Sequence, residues 1–198
     1  MRRRDDEGYT LAELIVATTL MGVVTAVTTV AIVQIYRSFN STDAEIEAQN
    51  QVSTAFRTLD KEIRYARSVS DEGVVDGDHY VEYLVNLDDV DTCVQLRLRT
   101  STSELQRRQW VKNAVPLSPT SWTTLASLTT SPKPFQVSAA DANALDAFRY
   151  QRLRVTFTSK AGLGESASSR VSDITFTALN ATADDNAKTC TEARGVDS

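Results

Sequence analysis

The stretch that decides the fold is LIVATTLMGVVTAVTTVAIV, Leu14 to Val33, in which no residue carries a charge. About 20 such residues in a helix rising ~1.5 Å each span the ~30 Å hydrocarbon core of a bilayer. The next charge after Val33 is Arg37, and one acid, Glu13, stands at the amino end of the run. An unpaired carboxylate costs ~2.5 to 3.5 kcal/mol when carried to the bilayer centre, so Glu13 requires a partner or a position near the headgroups.

Within this segment Thr18, Gly22 and Ala26 are spaced four apart. They form a small-xxx-small face on which a second helix can approach closely in lipid. Thr25, Thr28 and Thr29 supply hydroxyls that can bond to carbonyls one turn back. Arg2, Arg3 and Arg4 precede the run, balanced by Asp5, Asp6 and Glu7. Lysine and arginine beside a membrane helix, rather than net charge, set topology, so the amino terminus is expected in the cytoplasm and the bulk of the chain outside.

Gly8-Tyr9-Thr10-Leu11 is followed by Glu13-Leu14 and, farther on, Gly22. These residues resemble the leader and first helix of type IV prepilins and type II secretion pseudopilins, a likeness confined to the amino-terminal part of the chain. Tyr9 stands where that family usually has Phe, Ala12 where Ile or Val is commoner, and no proline precedes Pro116. The resemblance implies cleavage between Gly8 and Tyr9 by a membrane-embedded prepilin peptidase, and N-methylation of Tyr9. It also implies assembly into a filament through Glu13, Thr18, Gly22 and Ala26. The partners implied are other pilin or pseudopilin subunits, the inner-membrane assembly platform and membrane lipid. In that family's assembly scheme Glu13 pairs with the new amine of Tyr9 on a neighbouring subunit.

Beyond Arg37 the helical period persists: Val52, Phe56, Leu59, Ile63 and Ala66 recur at spacings of four, three, four and three. This predicts a helix continuing through Arg67. From Ser70 the period changes to two. Val94, Leu96 and Leu98 alternate with Gln95, Arg97 and Arg99, and Leu153, Val155 and Phe157 with Arg152, Arg154, Thr156 and Thr158. Tyr80 to Asn86, Glu104 to Val111 and Val171 to Ala178 are further strands, and Thr100 to Ser103 a hairpin loop. The expected class is α+β, a long amino-terminal membrane helix packed on an antiparallel sheet, as in the pilin-like architecture. Its parts are a leader at 1–8, a transmembrane and assembly helix at 9–36, the soluble half of the helix at 37–67, and a β-rich extracytoplasmic region at 68–198. Pro116, Pro119, Pro132 and Pro134 mark a long irregular connection from Val115 to Ala147, and the tail after Ala181 reads as mobile.

Cys93 and Cys190 are expected to pair, since both fall on the oxidising side of the membrane in this topology. The chain carries a net charge of −5, a poor balance for nucleic-acid binding. Arg97, Arg99, Arg107 and Arg108 read as a mixed-charge solvent face and the one basic patch, so DNA as a partner has little support. Asp88, Asp89 and Asp91 are three close carboxylates that could supply oxygen ligands to calcium, but they lack the terminal Glu of a full loop and read as a solvated turn. His79 is the only histidine, and no nucleophile elbow, phosphate loop or zinc spacing accompanies it, so no enzyme, catalytic residue or cofactor is expected. The expected function is a structural subunit, of minor type, in a pilus-like or secretion filament. The rival reading is a single-pass, signal-anchored receptor or binding module that keeps its leader.

Overall fold

The computed structural model describes residues 10–127, 131–144, 146–161, 168–183 and 189–196. Two compact units divide at Asp43 and Ala44. Helix α1, Leu11–Arg64, contributes to both. The first unit consists of its apolar part, where Leu11–Phe39 is long and apolar enough to cross a membrane.

The second unit is α+β, with nine strands among the described residues, β1 Ser68–Val69, β2 Gly73–Val75, β3 Asp78–Leu87, β4 Val90–Arg99, β5 Glu104–Val111, β6 Thr123–Ser127, β7 Phe135–Ser138, β8 Gln151–Ala161 and β9 Ser168–Ala178. They form two antiparallel sheets, not one. A six-stranded sheet runs β1-β3-β4-β5-β6 with β2 also on β3, and a three-stranded sheet runs β7-β8-β9. The stripe on α1 supplies the shared core: Ala55, Leu59 and Ile63 are buried, packed with Val81, Tyr83, Leu96 and Leu98 of one sheet and Leu153, Val155 and Phe157 of the other. Phe56 stacks on Phe157 with ring centroids 5.2 Å apart. Burying a side chain of this size contributes ~1.5 to 3 kcal/mol.

The helix stops at Arg64, three residues before the expected end. Tyr65 and Ala66 donate to the carbonyls of Glu62 and Ile63, tightening the last turn, and the Arg67 amide then donates to Leu84 O at 2.8 Å. The free edge of β3 therefore captures the backbone that would have continued the helix. The connection from Val115 to Ala147, expected as irregular, contains β6 and β7. Both are short and sit at sheet edges, and Thr-Thr-Leu-Ala-Ser in β6 lacks the alternation that marks a strand with one wet face.

The larger correction concerns the second face of the six-stranded sheet, which is covered. Glu82, Gln95 and Arg108 are each at most 1 % exposed, and Arg97 is 7 % exposed. Residues 189–196, expected within a mobile tail, close over that face. Cys190 is bonded to Cys93 at 2.05 Å. Arg108 donates to the carbonyls of Ala193 and Val196 at 2.6 and 2.8 Å. Trp110 Nε1 donates to Glu192 at 2.9 Å. The supposed basic patch is thereby dismantled. Arg97 and Arg108 lie 4.0 and 4.1 Å from the Trp122 ring centroid on the covered face. Arg107, one register position over, points to the helix side and binds Glu62 at 2.9 Å. Only Arg99 of the four is exposed. Alternation identified the strands, but polar residues buried in pairs look in sequence like polar residues in water.

Candidate functional site

The candidate site is the uncovered face of α1 between Thr10 and Phe39. Its first turn is a reciprocal cap. The Glu13 amide donates to Thr10 Oγ1 at 3.3 Å, while the Thr10 amide and hydroxyl donate to Glu13 Oε2 at 3.0 and 2.9 Å. This is a Thr-x-x-Glu capping box, which satisfies two of the amides that every helix start leaves without a partner. Glu13 thus has a partner inside its own chain, one turn away. Sequence reasoning looked for that partner at Tyr9 and passed over Thr10, although the spacing of Thr10 and Glu13 is itself the signature. Gly8 and Tyr9, the expected cleavage and methylation positions, lie outside the described residues.

Past the cap, every threonine hydroxyl of the apolar segment is satisfied by the helix. Thr18 donates to Leu14 O and Ile15 O, Thr25 to Met21 O, Thr28 to Val24 O and Thr29 to Thr25 O, at 2.8 to 3.0 Å. Without these bonds, the hydroxyls would be costly in an apolar medium. The helix surface that remains is hydrocarbon: Leu11, Met21 and Val27 are 80 %, 74 % and 66 % exposed. Tyr36, Arg37 and Phe39 close its far end, with an exposed tyrosine of the kind that sits at the membrane–water interface.

Thr18, Gly22 and Ala26 do share one face. They border a shallow, mostly apolar groove with Leu14, Met21 and Thr25. A Cβ placed on Gly22 would meet nothing within 4 Å. Glycine costs ~1 kcal/mol against alanine inside a helix, and no contact within the described residues requires it.

The chain matches no family model, no curated protein and no solved structure.

The other candidates resolve into structure. Asp88 and Asp89 are the two central residues of the β3–β4 hairpin, with φ of 49° and 62°, between the paired Leu87 and Val90. Two positive φ values in a two-residue loop match the right-handed twist of the strands, and Asp tolerates them better than most side chains. Asp91 instead accepts from Arg67 and Asn86, each at 3.2 Å. The described residues hold no group of three or more His, Cys, Asp or Glu side chains placed to take a metal ion. The ring of His79 lies 2.9 Å from Glu72 Oε1.

Proposed function

We propose that this chain is a structural subunit, of minor type, in a type IV pilus-like or type II secretion-like filament. On this reading it waits in the membrane through Leu11–Phe39 and loses its leader at Gly8 to a prepilin peptidase. It then joins other pilin or pseudopilin subunits at an inner-membrane assembly platform, with its β-rich unit outside the cytoplasm. The observation that carries the reading is the pairing, on one exposed apolar helix, of an acid at the first turn with a glycine at which an added Cβ would meet none of the described residues. The Gly8-Tyr9 junction in front of that helix supplies the third element.

The test is one bond. Chain extracted from membranes of cells that hold the peptidase is expected to begin at Tyr9, with the added mass of a methyl group. Gly8→Val is expected to leave the leader attached, because a side chain at that position obstructs the peptidase. An intact mass starting at Met1 in the unmodified chain overturns the reading in favour of a signal-anchored receptor or binding module.

A further inference from the structure

The outer face of the three-stranded sheet carries a recess of about 420 Å³ lined by Gln136, Ser138, Arg152, Arg154, Asp173 and Thr175. Register explains the grouping: Gln136 and Thr175 flank Arg154 on neighbouring strands, and Ser138 lies beside Arg152. Its two cations are not equivalent. Arg154 is neutralised by Asp173, to which its Nε donates at 2.7 Å and its Nη2 donates to the second oxygen. No acid among the described residues pairs with Arg152, and its Nε is buried with no hydrogen-bond partner. The guanidinium is held in place by an aromatic ring instead, 4.3 Å from the centroid of Phe148, which is 57 % exposed. A guanidinium positioned but not neutralised, among neutral hydrogen-bonding side chains, suits a carboxylate, which arginine binds in a planar two-point fashion.

The second unit also carries a convex feature of opposite sign. The β3–β4 hairpin ends in Asp88 and Asp89, both exposed, and neither has a hydrogen bond or ion pair among the described residues. Leu87 and Val90 beside them are 41 % and 43 % exposed. Acid tip with apolar shoulders and basic recess with an exposed aromatic rim are complementary in charge. They lie on different elements, and a one-way contact between them from copy to copy is head-to-tail. Contacts of that kind, when the rotation does not close a ring, propagate into helical filaments.

We infer that the Arg152 recess receives the Asp88–Asp89 turn of a second copy of this chain. The inference rests on the filament reading and adds to it a site on the β-rich unit, remote in sequence from the apolar helix. Its role is to set the rotation and spacing between neighbouring subunits, since charge complementarity fixes register more than it adds affinity.

The test uses the full chain in its own membrane. Two populations, one isotopically heavy, are co-expressed with a photo-crosslinking residue at Ser138, and cross-linked peptides are sequenced by mass. The expected product joins Ser138 of one copy to the peptide containing Asp88 and Asp89 of the other. Arg152→Glu is expected to lower its yield about tenfold, equivalent to ~1.4 kcal/mol. Asp88→Arg with Asp89→Arg is expected to do the same, and the three changes together to restore it. Restoration excludes misfolding as the cause of the loss. An unchanged yield in Arg152→Glu, no restoration in the combined variant, or capture of a different polypeptide overturns the inference. A second crosslinker at Leu20 separates the two ideas. Helix-to-helix products without the Ser138 product remove the recess contact alone, and loss of both removes it together with the filament.

Discussion

Arg194 reaches the carboxylate of Glu82, which has no solvent-accessible surface, and donates to it through Nε at 2.9 Å and Nη2 at 2.5 Å across 112 residues of sequence. Ser70 Oγ and Gln95 Nε2 complete the ring around that carboxylate at 2.6 and 2.8 Å. Removing one partner of a buried pair leaves an uncompensated charge, which costs ~3 to 5 kcal/mol. Arg194→Ala is therefore expected to lower unfolding free energy by about that amount in urea titrations of the solubilised chain. Replacing both members, Glu82→Gln with Arg194→Met, is expected to recover most of it. A loss below ~1 kcal/mol for the single variant would show the pair to be solvated.

The disulfide spans 97 residues of sequence. In the chain-entropy view a loop near 100 residues contributes ~4.7 kcal/mol by restricting the unfolded chain. Cys93→Ser with Cys190→Ser is expected to lower the urea midpoint accordingly. It is also expected to free the segment around Cys190 first, seen as rapid amide exchange in residues 189–196 before the sheets open.

Tyr83 donates to Glu62 Oε2 at 2.5 Å beneath Arg107. Burial, and then the neighbouring Glu62 carboxylate, push its phenol well above the ordinary tyrosine range, against the opposing pull of Arg107. The folded state thus holds this proton more tightly than the unfolded chain. The stabilisation is fully present below the unfolded value near 10 and is lost as pH rises through the higher folded one. Stability measured by urea is expected to fall above about pH 10. Tyr83→Phe is expected to flatten that alkaline limb and to cost about 1 to 2 kcal/mol at neutral pH.

Glu13→Gln keeps the capping box, since glutamine at this position accepts from the same amide. The variant is expected to insert, to be cut at Gly8, and to fail to co-purify with its filament partners. At ~4 Å and an effective dielectric near 20, the pair proposed between Glu13 and the new amine of Tyr9 is worth ~4 kcal/mol of attraction, which the variant forgoes. Normal co-assembly would leave Glu13 with the cap as its whole role.

Gly22→Leu meets no obstacle inside the chain. It is expected to insert and fold as the parent does, while losing helix-to-helix cross-links from Leu20. Unaltered cross-linking would show that no neighbour packs at Gly22.

Periodicity made the spine of the fold readable: the uncharged run after Glu13, the stripe from Val52 to Ile63, and the long strands β3, β4, β5, β8 and β9. It failed where two faces of one strand are both buried. Arg97, Arg107 and Arg108 look alike in sequence, yet one binds Glu62 on the helix side and two stack on Trp122 beneath residues 189–196. That distinction depends on contacts from Trp122, Ala193 and Val196, which no local spacing announces. Thr10 was missed for the opposite reason, since its Thr-x-x-Glu signature is local and was overshadowed by the search for a distant partner for Glu13.

Because residues 190–196 are themselves part of what the six-stranded sheet is built against, the order of synthesis matters to how this protein matures. Glu82, Gln95 and Arg108 are made long before the segment that seals them in. Until that segment emerges, this face of the sheet remains hydrated and Cys93 remains a free thiol. Maturation is therefore completed only after translation has passed Val196. A nascent chain clipped before Cys190 lacks the disulfide partner of Cys93 and the Arg194 partner of Glu82.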